Sequence, residues 1–337
     1  MSADDTPPRD ARLRIATFNL ENLDETAGTR AFLAQRLEVL RPQIVALDAD
    51  ILCLQEVSAH GKGHHHRAME ALDHLLAGTP YAAYARFGST GPGGHGPADV
   101  HNLVTLSRWA FARTRDIRHA LVPPLTYAAI TATQQPAAID GHFDRPLLYT
   151  VVPLPGGRAL HVVNLHLRSP LAAVIPGQKQ SGLTWRSVTG WAEGYFVAAL
   201  KRNAQALEAR LLVDQIFDAE PEALIAVCGD FNAETREVPV RTIMGAADDT
   251  GNPALAARSL IALEQEIPRE RRFSVRHAGA TVLLDHVLVS QGLAAWNPRL
   301  AIDNTALADE IFDATAEQPP LGSFHAPLVA EFSPPTR

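Results

Sequence analysis

The chain carries the sequence LIAVCGDFNAE from Leu224 to Glu234. It begins with an unbroken apolar run, which predicts a strand buried on both faces. Gly229 ends the run, and Asp230 and Asn232 follow with one residue between them. Because residues two apart in an extended backbone point to the same side, both polar side chains should leave the strand toward one spot. A carboxylate at the mouth of a core loses solvation unless something pairs with it, so we expect a metal, a phosphate or a reacting water there.

Similar polar groups end other strand-like segments that are far apart in the sequence. A single Asn after a strand is usually a turn residue, a single Glu is usually solvated, and a single His is usually structural. The repetition favours a shared site, because carboxylates, amides and histidines are the groups used in metal-assisted hydrolysis of phosphate esters. The groups concerned are Asn19, Glu56, Asn164, His166, Asp230, Asn232, Asp285 and His325.

Composition limits the class of protein. The 337 residues are 46% hydrophobic, enough for a large core. The formal net charge of −7 provides no global attraction to nucleic acid or to an anionic membrane, although a local basic patch is compatible with it. Cys53 and Cys228 lie in apolar runs without metal-ligand spacing and are predicted to be reduced core residues. With no apolar signal region or membrane-length segment, we expect a cytoplasmic protein with no membrane partner and no obligate protein partner.

Strands alternate unevenly with helices, which predicts mixed sheets in one α/β (α+β) sandwich. Residues 1–12 are expected to be a flexible leader and residues 13–334 a single domain. The predicted elements include a helix over Thr29–Leu47 interrupted near Pro42, a hairpin of Leu147–Leu154 with Ala159–Leu165, a helix over Tyr195–Phe217, and a hairpin of Phe273–His277 with Thr281–Ser290.

Six blocks occur in an order that resembles the endonuclease/exonuclease/phosphatase superfamily of deoxyribonuclease-I-like, metal-dependent phosphohydrolases. The blocks are TFNLEN, LCLQEV, VVNLHL, CGDFNAE, LLDHVLVS and SFHAPLVAEF. They span Leu13 to Phe332, while residues 60–140 and 169–220 carry no diagnostic motif. The resemblance implies a four-layer sandwich, with two mixed β-sheets packed face to face and helices on both outer faces. It also implies divalent-metal-dependent hydrolysis of phosphate esters.

The resemblance assigns a metal-binding half of the site. It makes Glu56 the principal ligand of Mg²⁺ or Mn²⁺, with Asn19 supporting that metal or its waters. Glu21 lies where some members have a further acidic ligand. The last block departs from the usual Ser-Asp-His, because Phe324 stands where the carboxylate would be. This loss leaves open whether one or two metals bind, and it favours a neutral His325 unless a nearby carboxylate compensates.

The resemblance also assigns the groups that act on the phosphate. Asp230 would orient or deprotonate the attacking water, and Asn232 would hold that water or the phosphate. His325 would contact the phosphate, with Asp285 fixing its ring and charge. His166 would stabilise the transition state or assist the leaving group. The expected reaction is in-line attack of water on phosphorus.

The substrate side is less determined by sequence. Residues 155–210 carry seven cations against two anions, together with Trp185 and Trp191. One interpretation is a basic, aromatic lip for a phosphate ester or nucleic acid, and the other is an ordinary solvated surface. Residues 64–66, three consecutive histidines, are either a surface loop or a contact to substrate or a second metal. Weaker candidates for substrate contact are Asn102, Arg145, Lys179 and Arg186.

The leading functional hypothesis is a phosphodiesterase of the nuclease type. The acidic net charge argues against tight binding of duplex DNA, so a phosphomonoester or a small-molecule or lipid phosphodiester is an alternative substrate. A non-catalytic binding descendant of the fold is the alternative from another class.

Overall fold

The computed structural model describes residues 12–25, 30–61, 67–134, 136–182, 184–314 and 320–335. Its strands are β1 (Leu13–Leu23), β2 (Ile51–Val57), β3 (Ala85–Gly88), β4 (Asn102–Ser107), β5 (Arg113–Ile117), β6 (Leu147–Pro153), β7 (Ala159–His166), β8 (Leu224–Asp230), β9 (Leu260–Ala262), β10 (Val275–His277), β11 (Ala280–Val282), β12 (Asp285–Ser290), β13 (Arg299–Ile302) and β14 (Leu328–Phe332). Its helices are α1 (Arg30–Leu47), α2 (Glu70–Leu76), α3 (Val188–Ala219), α4 (Val238–Met244), α5 (Ala247–Thr250) and α6 (Gln291–Ala294), with 3₁₀ turns at Pro80–Ala83, Pro253–Arg258, Leu263–Glu266 and Arg269–Arg271.

Two six-stranded sheets contain most of the strands. The first has the order β13-β14-β1-β2-β4-β3, the second has the order β5-β6-β7-β8-β12-β9, and β10 and β11 form a separate ribbon. The pairs β1–β2 and β7–β8 are parallel, and their neighbours are antiparallel. Both large sheets are therefore mixed, as predicted.

Apolar clusters fix the order of the layers. One cluster joins the facing sides of the two sheets, with Ile15 and Cys53 from the first sheet against Val162 and Cys228 from the second. A second cluster covers the other face of the first sheet with α1 and α2, and a third covers the other face of the second sheet with α3 and α4. The result is the expected four-layer sandwich. The prediction of buried, reduced cysteines is also confirmed, since both are buried and free.

Two predictions about helices were wrong in detail. Helix α1 is continuous, with Pro42 inside it. Pro42 is exposed, so water can satisfy the carbonyl group that its missing N–H leaves without a partner. Helix α3 starts before Tyr195, at Val188, where the Ser187 hydroxyl caps it by accepting a hydrogen bond from Gly190 N at 2.9 Å.

The second predicted hairpin is also different in the structure. Strand β10 does pair with β11, but β11 ends at Val282. The chain then enters the second large sheet as β12, which starts at Asp285 and pairs with β8 and β9. Val282, Leu283 and Leu284 are consecutive apolar residues without a turn residue between them, so the end of β11 could not be located from the sequence. The first hairpin, of β6 with β7, is confirmed.

Apart from Arg12, the predicted leader lies outside the described residues, as do residues 64–66. None of the described helices is long and apolar enough to cross a bilayer.

Candidate active site

The predicted catalytic and metal-binding residues meet at one edge of the sandwich because the sheet topology brings them there. Strands β1 and β2 are parallel, so Asn19 and Glu56 lie near neighbouring carboxyl ends. Strands β7 and β8 are also parallel, and His166 pairs directly with Asp230. Strand β12 is antiparallel to β8 and begins beside its end, with Asp285 paired to Asp230. Contacts between the two sheets then bring these ends together.

Asp230 is the centre of the hydrogen-bond network and is buried. Its Oδ2 accepts a hydrogen bond from Asn19 Nδ2 at 3.1 Å and lies 3.2 Å from His166 Nε2. Its Oδ1 accepts from the backbone N–H of Asn232 at 2.8 Å, and Asn232 Nδ2 lies 3.3 Å from Oδ2. Burial opposes ionisation, but His166, His325 and the Asn232 N–H outweigh it and hold the pKa of Asp230 below its usual range. Asp230 is therefore a carboxylate at neutral pH.

Glu56 is the second carboxylate of the site. It accepts hydrogen bonds from Asn19 Nδ2 at 3.3 Å and from the backbone N–H of Asn22 at 2.9 Å, and its Oε1 is 3.8 Å from His166 Nε2. Burial would raise its pKa, yet the neighbouring His166, His101, His325 and Arg145 outweigh this and lower it. The Asn19 amide bridges the two carboxylates as a donor, while its oxygen accepts from the Glu21 N–H at 3.0 Å. Coordination of a metal by that oxygen would require the amide to turn.

Glu21 adds a third acidic group. Burial, and then the charge of Glu56, raise its pKa to about 7. A bound cation would favour the ionised form of such a group.

His325 and Asp285 form a buried pair, with Nδ1 2.8 Å from Oδ2. The His325 Nε2 faces Asp230 Oδ2 at 3.9 Å. Burial lowers the pKa of His325, but Asp285 and Asp230 more than compensate and raise it well above its usual value. Asp285 thus provides the compensation that Phe324 does not, and His325 is expected to be protonated.

The loop before β14 is held in place by Ser323. Its hydroxyl donates to the Asn19 carbonyl at 2.7 Å and accepts from the His325 N–H at 3.0 Å. Phe324 is partly buried between these two residues. Ser323 therefore links His325 to β1, the strand that carries Asn19.

Strained backbone marks the same edge. Nine described non-glycine residues have positive φ, and five of them belong to this site or its rim. Such conformations cost about 1–3 kcal/mol each and persist only where the surrounding structure enforces them. The five residues are Glu21, Asn22, Glu56, His101 and Asn232.

The donor atoms fit a divalent cation. Among the described residues, Asp230, Asp285 and His325 form a buried group whose ligand atoms all lie within 4.8 Å of one another. Asp285 Oδ1 is buried without a hydrogen-bond partner, which is unusual unless a further ligand satisfies it. Glu56 provides further carboxylate oxygens close to Asp230, and carboxylate oxygens are ligands that Mg²⁺ and Mn²⁺ prefer.

The weaker substrate candidates have different positions. Arg145 is buried behind the site, where it donates to the carbonyls of Leu167 at 3.0 Å and His166 at 3.5 Å. The Asn102 amide donates to the Val57 and Ala98 carbonyls, both at 2.9 Å, and is 1% exposed. Asn102 therefore joins neighbouring backbone segments and does not lie at the site.

His101 is the residue that sequence reasoning missed. Its Nε2 is 3.0 Å from Asn22 Oδ1, and its ring centroid is 6.5 Å from that of His166. Successive side chains point to opposite sides near a strand, so Asn102 turns inward while His101 faces the site. Extending the side-chain alternation of the predicted strand back to these two residues would have placed His101, and not Asn102, at the site.

Lys179 and Arg186 contact residues of their own segment. Lys179 Nζ lies 4.0 Å from the ring centroid of Trp185, and Arg186 Nε donates to the Lys179 carbonyl at 3.3 Å. Trp191 is exposed and stacks on Tyr195. None of the described contacts joins this segment's cations to the carboxylates of the site.

The fold and the site together define a class: α/β sandwiches with two mixed sheets and an acidic, histidine-containing site at one sheet edge. The sequence profile of the Endonuclease/Exonuclease/phosphatase family matches residues 16–306, and the chain belongs to this family. Members are generally hydrolases that act on phosphate esters and are typically dependent on divalent metals.

Solved structures share the fold at low sequence identity. Truncated TDP2 from Caenorhabditis elegans matches with a TM-score of 0.56 and 15% identity, over 96% of this chain and 98% of that one. The human Nocturnin catalytic domain with bound sulfate matches with a TM-score of 0.54 and 18% identity, over 96% and 94%. An endonuclease/exonuclease/phosphatase protein from Bacteroides vulgatus has a TM-score of 0.53 and 16% identity, over 95% and 98%. No curated protein sequence matches the chain.

Proposed function

We propose that this protein hydrolyses phosphate esters with the help of Mg²⁺ or Mn²⁺, and that phosphodiesters of the nuclease type are its leading substrate class. The observation that supports this most directly is the convergence of buried carboxylates, amides and histidines on Asp230. Burying this many ionisable groups together costs free energy that a purely structural core would avoid. Sites of this composition are typical of metal-assisted hydrolysis.

Asp230 would hold the attacking water. Its lowered pKa makes it a weak proton acceptor but a permanent hydrogen-bond acceptor, which suits orientation of a water molecule better than its full deprotonation. Asn232 fixes the Asp230 carboxylate through two hydrogen bonds and would line the water position. The network thus favours the orienting role over the role of a strong base.

His325 would hold the phosphate as a charged donor. Its Nδ1 is already used on Asp285, so Nε2 is the atom left to donate to a phosphate oxygen. His166 Nε2 lies near both Asp230 and Glu56 and would stabilise charge that develops on phosphorus-bound oxygens or on the leaving group.

Glu56, supported by Asn19 and Glu21, would hold the cation. A protonated His325 cannot ligate a metal, so we favour Glu56 over the buried group containing His325 as the principal ligand. A divalent cation bound there would neutralise charge on the phosphate oxygens.

The substrate class is open within this chemistry. The net charge of −7 disfavours tight binding of duplex DNA, so a phosphomonoester or a small-molecule or lipid phosphodiester is the alternative. We also propose a cytoplasmic location, consistent with the two free, buried cysteines.

The proposal is tested by incubating the protein with Mg²⁺ or Mn²⁺ and three substrates: bis-p-nitrophenyl phosphate, p-nitrophenyl phosphate and plasmid DNA. Asp230→Asn and His325→Ala should each lower turnover by about 10²–10⁴. Turnover of the diester over the monoester would support a phosphodiesterase, and the reverse would support the monoesterase alternative. Metal binding by calorimetry without turnover of any substrate would favour a non-catalytic binding protein, and the absence of both would refute the proposed function.

A further inference from the structure

An unusual apolar surface lies on the first turns of α3 and on two loops packed beside them. Aliphatic side chains are the most exposed part of it, with Val188 79% and Leu171 74% accessible. Trp191 and Phe196 are also about half accessible, although large aromatic side chains are normally well buried. We call this the α3 surface, and its members are Ile130, Leu171, Val174, Val188, Trp191 and Phe196.

The three segments of the α3 surface are fixed to one another. Glu193, on the buried side of α3, accepts hydrogen bonds from Tyr127 Oη at 2.9 Å and from the backbone N–H groups of Ile130 and Thr131 at 2.5 and 2.7 Å. The N–H of Ala173 donates to the Gly194 carbonyl at 2.9 Å. The apolar side chains are therefore presented by a pre-formed scaffold.

Charge is nearly absent from this surface, and the charges beside it are positive. Residues 121–139 contain no charged side chain, and residues 187–200 contain only Glu193, which is buried. Lys179 and Arg186 flank the surface, and among the described residues neither is in an ion pair with a carboxylate. An apolar area with a cationic rim is complementary to an anionic lipid bilayer, where aliphatic groups enter the acyl boundary and Trp and Tyr sit at the headgroups.

We propose that the α3 surface docks the protein on anionic membranes. Single-stranded nucleic acid explains the aromatic groups, but it gives no favourable contact for Val188, Ile130 and Leu171, which are the most exposed. A second copy of the chain is disfavoured because a two-fold interface places the same patch on both sides and would bring the cationic rims together. The sequence-based expectation of no membrane partner rested on the lack of a membrane-length segment and on the net charge of −7, and a local cationic rim is compatible with both.

The α3 surface begins close to the candidate active site. The Leu167 carbonyl accepts a hydrogen bond from Asn232 Nδ2 at 3.0 Å, and Leu171 follows four residues later, its carbonyl accepting from Arg168 at 3.3 Å. Docking would thus set the site beside a bilayer. The proposal goes beyond the proposed function and does not depend on it.

The test is sedimentation of the full chain with sucrose-loaded vesicles, either of phosphatidylcholine alone or with about one third phosphatidylserine. Wild-type protein should sediment with the anionic vesicles, with a blue shift of tryptophan emission. The Trp191→Ala/Phe196→Ala variant should bind at least about tenfold more weakly, since binding scales with buried apolar area. Lys179→Gln/Arg186→Gln should reduce the preference for phosphatidylserine.

The matched control is Val238→Ser, which removes an aliphatic group that is 60% accessible at the start of α4. It should bind vesicles like the wild type, and circular dichroism should show that every variant is folded. Absence of wild-type binding, or equal binding by the Trp191/Phe196 variant, would overturn the proposal. Two other outcomes would also overturn it, if the wild type binds no vesicles. One is a wild-type dimer, seen by light scattering, that the variant loses, and the other is binding of single-stranded DNA that the variant loses.

Discussion

Replacing Asp230 by Asn tests the candidate site most directly. The carboxylate has hydrogen-bond contacts with four donor groups at 2.8–3.3 Å, and three of them meet at Oδ2. If the new amide keeps its oxygen toward the Asn232 N–H, its NH₂ group replaces Oδ2 and faces those three donors. Removing a positioned acid–base group costs about 10²–10⁴ in rate, or about 2.7–5.4 kcal/mol at 1.36 kcal/mol per decade. We therefore expect kcat to fall by about that factor while KM changes little, because in its proposed role Asp230 would contact the water and not the bulk of the substrate.

The assay is steady-state hydrolysis of bis-p-nitrophenyl phosphate at saturating metal. Asp50→Asn is the control, since Asp50 is also buried but lies at the start of β2, at the opposite end from Glu56, and accepts from Arg14 N at 2.9 Å. The control should lose stability by about 1–3 kcal/mol and keep its kcat. A folded Asp230→Asn enzyme whose kcat stays within about threefold of wild type would refute the assigned role. Acid unfolding gives a second readout. The lowered pKa of Asp230 stabilises the folded protein above about pH 3.9, and this stabilisation is lost as the pH falls through the folded pKa. The variant should therefore lose this part of the pH dependence of its stability.

Three further outcomes are expected. His286 and Glu264 are fully buried and 2.6 Å apart, and His286 Nε2 lies 2.8 Å from the carbonyl oxygen of Ala233 in the loop of the site. Glu264→Gln should therefore lower the free energy of unfolding by about 3–5 kcal/mol in urea titrations. Burial lowers the pKa of His286, but the effect of Glu264 is larger, so the pKa is raised. The pair therefore stabilises the wild type fully below about pH 6.5, and less as the pH rises through the folded pKa. A variant with the same pH dependence as the wild type would contradict this. Gly229→Ala should prevent folding to an active state, because a Cβ there would lie 1.9 Å from the Leu165 carbonyl oxygen and the residue has a φ of 139°. A soluble, active variant would contradict this prediction. Removal of metal by EDTA should abolish turnover and lower Tm, and Mg²⁺ or Mn²⁺ should restore both; an unchanged Tm would argue against a metal in the buried site.

Most of the site could be predicted because its residues follow strands. Asp230 and His166 are at the ends of parallel neighbours, so their proximity follows from the strand pattern together with the family's sheet order. The hydrogen bond from Asn19 to Asp230 was not predictable from the sequence alone, since it depends on the packing of one sheet against the other.

The errors have local physical causes. The first turns of α3 contain Gly190 and Gly194, which weaken a helical pattern, yet Gly194 is needed because a Cβ there would lie 2.3 Å from the Ala173 carbonyl oxygen. His101 follows a Gly/Pro-rich loop and carries no motif. His286 is next to Asp285 but lies on the opposite face of β12, toward Glu264, because side chains alternate along a strand.

The pairing of β1 with β14 has a consequence for folding. Leu13 is opposite Phe332, so the strand that carries Asn19 completes its sheet only when the last strand arrives. Contacts of such sequence separation form slowly, because loop-closure entropy opposes them until the two sheets are assembled. During synthesis, the strands made first keep an unpaired sheet edge until the last strand has been made. The carboxylates of the site would gather only in the final step, so catalytic activity should report complete folding more strictly than helix content does.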